Sequence, residues 1–302
     1  MSTRNESFLI GLIGDGITES LTPPMHEREA DHHGVRYLYR PVDLTVINRP
    51  GSDVGELLRA GRDLGFNGFN ITHPCKQIVL EHLDEVDPQA AAIEAVNTVL
   101  IRDDKFIGYN TDCSGFTAGF RAGLPGVNLE RVVQFGSGGA GSAVAEALLT
   151  VGVQRLDLVD VDVARAAQRA AALAGRYPGA VVETVSPEQA PELVKGASGV
   201  VNATPVGMHH HPGTPFDTAL LNAQQWIADV VYLPLATELV TAAKALGCQV
   251  LDGGHMAVGQ AVDAFRLFTD LEPDRQRMRD HFLSLTGQAP VATAQKQTGA
   301  AQ

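Results

Sequence analysis

Residues 132–150 read VVQFGSGGAGSAVAEALLT. Val132, Val133 and Phe135 form a short apolar run that predicts a buried strand, and beyond it Val144, Ala147, Leu148 and Val151 recur at helical spacing. Between the two, Gly136, Gly138 and Gly141 stand at G-x-G-x-x-G spacing, so a strand must turn sharply into a helix. Each glycine has a physical task. Gly136 permits the tight turn, Gly138 lets backbone approach a pyrophosphate, and Gly141 lets the helix lie close to the sheet. Unpaired amides at the helix start would face the phosphates. The next strand, Leu156–Asp160, ends on a carboxylate, which can accept both hydroxyls of an adenosine ribose and repels a 2′-phosphate. Capping of the following helix, Val163–Ala174, falls better to Asp162, so Asp160 points to NAD over NADP.

From this stretch to residue 251 the strands and helices alternate. Val181–Thr184, a helix near Pro187–Lys195, Gly199–Ala203, Ile227–Tyr232, the helix Glu238–Leu246 and Gln249–Leu251 complete the pattern of a doubly wound parallel sheet. The loop Thr204–Gly213 holds Met208 and three adjacent histidines, His209, His210 and His211. Neighbouring residues on a loop do not converge on one ion, and no carboxylate or cysteine stands at ligand spacing, so no metal is expected. Met208 either leans on a nicotinamide ring or fills a gap in the packing.

Toward the N-terminus, Phe8–Ile13, Tyr37–Val42 and Gly68–Thr72 predict strands, and Pro24–His33 and Val54–Leu64 predict helices, as a separate α/β unit would. Ser20 and Thr22 precede a helix start, where two hydroxyls can either cap the helix or donate together to one carboxylate. Lys76 follows Thr72-His73-Pro74-Cys75 in the first turn of the next helix, where the dipole disfavours a second positive charge. It is a solvated lysine or a used one. A hairpin with its turn at residues 103–105 leads to Asn110-Thr111-Asp112. Asp112 opens a helix and either caps it or orients Lys76. LPGVNL at 124–129 has the residues of a junction. After Asp252-Gly253-Gly254-His255-Met256 a helix carrying Gln260 takes the chain back to the first unit, and a final helix spans about Asp274–Leu285. The expected division is a catalytic, substrate-binding domain at 1–111, joined by helices at about 256–286, and a dinucleotide-binding domain at 112–255. The small-polar stretch 287–302 lacks apolar periodicity and is expected to be disordered.

The whole chain has 302 residues, 44% of them hydrophobic, with mean hydropathy close to zero, enough for two ordinary domains. Its 23 basic and 35 acidic residues leave a net charge of −12, which opposes binding to nucleic acid or an anionic membrane; an anionic ligand must be held by local donors. No eighteen apolar residues run together and the start lacks signal-peptide architecture, so the cytoplasm is expected. Cys75, Cys113 and Cys248 are too few and too scattered for a disulfide framework or a zinc site.

Seven motifs in order, SLTPPMH at 20–26, FNITHPCK at 69–76, AVNTV at 95–99, GYNTDCSGF at 108–116, GSGGAG at 136–141, NATPVGM at 202–208 and GGHMAVGQAVDAF at 253–265, resemble those of the shikimate dehydrogenase family, within it the NAD-preferring quinate/shikimate dehydrogenases. The resemblance spans about Phe8–Leu285 and implies an N-terminal α/β substrate domain followed by a Rossmann-like doubly wound parallel sheet. It implies that Lys76 takes the proton from the reacting hydroxyl as hydride leaves for NAD, and that Asp112 positions both. Ser20 and Thr22, with Tyr232, would grip the substrate carboxylate, and Thr72, Asn97 and Gln260 the ring hydroxyls. Gly136, Ser137, Gly138, Gly139, Ala140 and Asp160 would hold the cofactor, with Thr204, Val206 and Gly253 near its nicotinamide end and Met208, Val230 and Met256 completing the set.

Biosynthetic members of the family usually show Ser-x-Ser, and Asn-Arg followed by Ser or Thr for the 2′-phosphate. Here Ser20-Leu21-Thr22 and Asp160-Val161-Asp162 stand instead, which implies NAD and a pocket resembling that of the quinate-using members. Arg165, able to approach the adenine face or a phosphate, leaves room for NADP. The implied reaction is oxidation of quinate or shikimate to its 3-dehydro product by a monomer or homodimer. The competing readings are an NADP-dependent biosynthetic shikimate dehydrogenase, a folate-linked methylene dehydrogenase, in which Ser20, Thr22 and Gln260 lack a task, and a non-catalytic NAD sensor, in which Lys76 and Asp112 lack one.

Overall fold

The computed structural model describes residues 7–287. Beyond Gly287, the disorder expected for 287–302 therefore concerns residues outside those described. In chain order the elements are β1 Ser7–Gly14, α1 Thr22–His33, β2 Arg36–Asp43, α2 Val54–Asp63, β3 Gly68–Ile71, α3 Cys75–Ile78, β4 Glu85–Val86, α4 Pro88–Ile93, β5 Thr98–Arg102, β6 Lys105–Tyr109 and α5 Thr111–Gly123. There follow β7 Arg131–Phe135, α6 Gly139–Thr150, β8 Arg155–Val159, α7 Val163–Arg176, β9 Val181–Val185, α8 Ala190–Gly196, β10 Gly199–Asn202, β11 Trp226–Asp229, α9 Glu238–Leu246, β12 Gln249–Leu251, α10 Gly254–Thr269 and α11 Arg275–Leu285.

They build two six-stranded sheets. The first has the order β2-β1-β3-β5-β6-β4, and the second β12-β11-β10-β7-β8-β9. All the pairings in the second are parallel, with the chain starting at the centre and winding outward on both sides. That is the strand order of a Rossmann-like fold, and it opens a crevice where the ends of β7 and β10 diverge into their loops. Helices bury both faces: Val144, Ala147 and Leu148 of α6 pack with Leu156 and Leu158 on one, and Leu239 and Ala243 of α9 with Val133 and Ile227 on the other. Strands covered on two sides need no polar alternation, hence the apolar runs in the sequence.

Helix α5 joins the two sheets. Phe116 and Phe120 belong to the core of the second sheet, where Phe120 meets Trp226 edge to face at 5.1 Å. Its opposite side lies on α10, backbone against backbone: a Cβ at Gly115 would stand 2.4 Å from the amide nitrogen of Gln260, and one at Gly259 would stand 2.5 Å from the carbonyl oxygen of Gly115. Helix α10 then carries Phe265 and Phe268 into the core of the first sheet, so the chain does return there. Gly115→Ala is expected to lower stability by about 1–3 kcal/mol, because backbone cannot yield as a side chain tip can; urea unfolding measures it, and an unchanged midpoint would mean that the helices separate freely.

Several elements differ from the sequence expectation. The strand expected to end at Tyr232 ends at Asp229, leaving Val230 and Tyr232 on a loop; the helix expected near Pro187–Lys195 is Ala190–Gly196; the helix expected at Pro24–His33 begins at Thr22; and β4 with α4 is an addition. Helix α4 is short, started by Asp87, whose side chain accepts from the amides of Gln89 and Ala90, and by Pro88. Cys75, Cys113 and Cys248 are buried free thiols. Among the described residues no helix is long and apolar enough to cross a membrane.

Candidate active site

Strand direction gathers one end of the site. β1 and β3 are parallel and finish at Gly14 and Ile71, whereas β5 runs antiparallel to β3 with Thr98 opposite Asn70. The start of β5 is thereby level with the ends of β1 and β3, and β6 arrives at the same edge through the pairing of Thr98 with Tyr109. Segments 14–22, 70–76, 97–98 and 109–112 meet there.

Lys76 Nζ donates to Asp112 Oδ2 at 2.5 Å, with the two side chains 15% and 7% exposed. Asp112 is not the helix cap. Asn110 caps α5, its side chain accepting from the amide of Cys113, so the Asp112 carboxylate is released for the lysine. Helix α3 has only four residues and little dipole; Asp112 and packing orient Lys76 instead. Neither Ser20 nor Thr22 caps α1: Leu21 occupies that position without a side-chain bond. Ser20 Oγ accepts from the amide of Thr22 at 3.3 Å. Burial pushes the Tyr232 phenol up, opposed by the neighbouring Ser20 hydroxyl and assisted by the nearby charge of Asp112.

Asn97 Oδ1 accepts from the amide of Thr111 at 2.7 Å and from Thr98 Oγ1 at 3.1 Å, and its amide donates to Thr111 Oγ1 at 3.0 Å, which fixes it beside Asp112. The methyl of Thr72 fills the space over Gly14, where a Cβ would come within 2.3 Å of it. Gln260 Nε2 donates to the carbonyl of Ala257 at 3.0 Å, on the helix that crosses α5 at Gly115. Sequence reading missed Tyr39, whose hydroxyl donates to Asn70 Oδ1 at 2.5 Å, while Asn70 Nδ2 donates to Asn97 O and Thr98 Oγ1. The available signal was an asparagine inside the short strand Gly68-Phe69-Asn70-Ile71, where a buried polar side chain needs partners.

At the other end Gly136 has φ of 94°, and a Cβ on it would lie 2.6 Å from the carbonyl oxygen of Ala203. Gly138 has open space before it, as a backbone meant to meet a phosphate requires. Gly141 is tight against Gly136 O, at 2.2 Å for an added Cβ, so it serves the turn itself rather than the sheet. Asp160 Oδ2 accepts from both the amide and the hydroxyl of Ser137 at 2.7 Å, and Oδ1 from the amide of Asp162 at 2.9 Å and from Arg165 Nη2 at 2.7 Å. Burial raises the Asp160 carboxyl, but these donors outweigh it and hold it below the usual range. Asp162 caps α7, as its position in the sequence suggests.

A second missed pair lies under the loops that follow β10 and β11. Asn202 and Asp229 end adjacent strands and join at 3.0 Å. Asn202 Oδ1 accepts from Thr204 N and Oγ1, its amide donates to Val206 O, and the Val230 amide donates to its carbonyl. Burial pushes the Asp229 carboxyl up to about 6 against its bonds from Val231, Thr237 and Asn202. Gly253 packs on this loop, its added Cβ 2.2 Å from Val231 O; Met256 is buried, and Met208 is 41% exposed and bridged to His211. His209, His210 and His211 are exposed, and among the described residues no three His, Cys, Asp or Glu side chains gather as metal ligands would.

The two ends touch. A Cβ at Gly139 would lie 3.3 Å from Lys76 Cδ, so the glycine-rich turn of the second sheet rests on the stem of the lysine carried by the first. Ala140 follows it in the first turn of α6.

Known proteins share this fold. Residues 12–99 match the family model described as the shikimate dehydrogenase substrate binding domain. The chain is 60% identical to the shikimate dehydrogenase (NADP(+)) of Pseudarthrobacter chlorophenolicus, over 97% of this chain and all of that protein. It is 51% identical to the quinate/shikimate dehydrogenase (NAD(+)) of Corynebacterium glutamicum strain R, over 93% of this chain and all of the other. The solved quinate dehydrogenase of Corynebacterium glutamicum in complex with NAD superposes with a TM-score of 0.87 at 51% identity, covering 93% of this chain and 100% of that one. The fold is thus that of a Rossmann-type oxidoreductase. The chain belongs to the shikimate dehydrogenase family.

Proposed function

We propose that the protein oxidises the ring hydroxyl of quinate and shikimate with NAD. The observation that carries this is the contact of the glycine-rich turn with Lys76, itself 2.5 Å from Asp112, since it sets a dinucleotide turn beside a proton-accepting pair. The residues fit the cofactor: positive φ at Gly136, open backbone at Gly138 and an ionised acceptor at Asp160. NAD, when bound, supplies the hydride acceptor. Lys76 takes the hydroxyl proton, Asp112 holds the amine in place, Ser20, Thr22 and Tyr232 grip the carboxylate, and Thr72, Asn97 and Gln260 take the ring hydroxyls. Gly136, Ser137, Gly138, Gly139, Ala140 and Asp160 hold the dinucleotide, Arg165 covers its adenosine end, and Thr204, Val206, Met208, Val230, Gly253 and Met256 border the nicotinamide. Residues 1–111 with 256–286 form the substrate domain in this reading, and 112–255 the cofactor domain.

A second reading, NADP-dependent shikimate reduction, is favoured by one observation, the guanidinium of Arg165 lying 2.7 Å from Asp160, together with the name of the 60% identical relative. Initial rates with quinate and with shikimate, each against NAD and NADP, separate the two. NAD preferred with both acids is the expected outcome; shikimate with NADP as the best pair would overturn it in favour of the second reading.

A further inference from the structure

The segment between β1 and α1 presents Ser20 and Thr22, yet it has no regular structure of its own and passes through Gly16 at φ of 62°. What shapes it is Asp43, the last residue of β2, paired in register with Gly14. Asp43 Oδ1 accepts from the amide of Gly16 at 3.0 Å and that of Thr45 at 3.1 Å. Its Oδ2 accepts from the amide of Ile17 at 2.8 Å, the amide of Thr18 at 3.0 Å and Thr18 Oγ1 at 2.7 Å. Three successive amides thus converge on one carboxylate, an arrangement that an acceptor-only, ionised group satisfies in full. The residue is 6% exposed. Burial raises its carboxyl, but the hydrogen bonds prevail and hold it below the usual range.

The turn so fixed connects directly to the hydroxyls. The carbonyl of Ile17 accepts from the amide of Ser20 at 3.0 Å, and the Ser20 side chain neighbours the Tyr232 phenol. On its other side the amide of Asp15 donates to the carbonyl of His73 at 2.8 Å, which ties the same turn to the strand end leading to Lys76. Five donors occupy both oxygens, so the carboxylate is committed to the loop and leaves no acceptor position open to a ligand.

We propose that Asp43 is a positioning residue for the substrate carboxylate, setting the Gly16–Thr18 turn and through it the placement of Ser20 and Thr22. The proposal rests on the assignment of those two hydroxyls as the carboxylate grip. Asp43→Asn retains shape but offers one oxygen: with that oxygen toward Gly16 and Thr45, its amide faces the amides of Ile17 and Thr18, donor against donor, and the turn must shift. Thr18→Val is milder, removing one bond and leaving the three amides.

The test is steady-state kinetics on the whole enzyme with quinate, shikimate and NAD, for the native chain, Asp43→Asn, Thr18→Val, the variant Ser20→Ala/Thr22→Val, and Asp43→Asn in that last background. Asp43→Asn should raise KM for the acids about tenfold and Thr18→Val about threefold, with kcat and KM for NAD within about twofold of native. In the background lacking both hydroxyls, Asp43→Asn should add less than about twofold, because the path it acts through is gone. An unchanged acid KM in both single variants, an effect that multiplies in that background, or an equal loss in KM for NAD would overturn the proposal. If the variant lacking both hydroxyls itself leaves the acid KM unchanged, the carboxylate grip has failed and the role of Asp43 falls with it; if it raises KM while Asp43→Asn does not, only the positioning role falls. Should Asp43→Asn not fold, Thr18→Val decides.

Discussion

Lys76→Ala is expected to lower kcat by about a thousandfold while leaving KM for the acid within a few-fold of native. A positioned acid–base group contributes about 10²–10⁴ to a proton-transfer step. The Lys76 amine, within 2.5 Å of Asp112 and in a site where the lysine side chain is 15% exposed, has the confinement such a group needs. Its contribution belongs to the transition state, where the hydroxyl proton leaves, so it shows in kcat rather than in binding. The glycine-rich turn meets only the stem of the lysine, and the phosphates are assigned to backbone amides, so cofactor binding should survive the truncation. Initial rates at saturating NAD, together with nicotinamide fluorescence titration to show retained binding, make the measurement. Turnover within about threefold of native would remove Lys76 from the mechanism, since no acid–base contribution is that small.

The second sheet was readable because its strands are buried on both faces and its turns are marked by glycine: the sequence from Val132 to Asp160 contains a strand, a turn with one residue at positive φ, a helix and a strand-end carboxylate, all close in the chain. The pairing of Lys76 with Asp112 was readable only as a possibility, because it depends on β5 running antiparallel between β3 and β6, which no local pattern states. Spacing also left Asp112 open as a helix cap, and only the geometry of Asn110 removes that alternative. Asp43, Asn202 and Asp229 escaped notice for a common reason: each is a polar residue at a strand end, ordinary in sequence, whose partners are brought to it by the fold. The end of β11 at Asp229 has the same origin, for once that carboxylate takes the amide of Val231 and the hydroxyl of Thr237 the chain turns away from the ladder before Tyr232.

Cofactor choice should turn on Asp160, and Asp160→Ala is expected to raise KM for NAD by about ten- to a hundredfold while improving the use of NADP. Hydrogen bonds to a charged acceptor are worth about 1.5–3 kcal/mol, which sets the first figure. The second effect has a different source. An ionised carboxylate at the end of β8 repels a 2′-phosphate, and the donors from Ser137, Asp162 and Arg165 keep it ionised through the neutral and mildly acidic range, because its titration lies below the ordinary carboxylate value. With the carboxylate gone, Arg165, 43% exposed at its side chain and now without that partner, becomes available to a phosphate in its place. Arg165→Leu should therefore act in the opposite direction: it leaves Asp160 less neutralised and sharpens the preference for NAD. Ratios of kcat/KM for NAD and NADP across native, Asp160→Ala and Arg165→Leu decide the matter. Opposite shifts in the two variants fit a carboxylate that selects and a guanidinium that softens the selection. A native ratio already favouring NADP, raised further by neither substitution, would mean that the phosphate is recognised elsewhere.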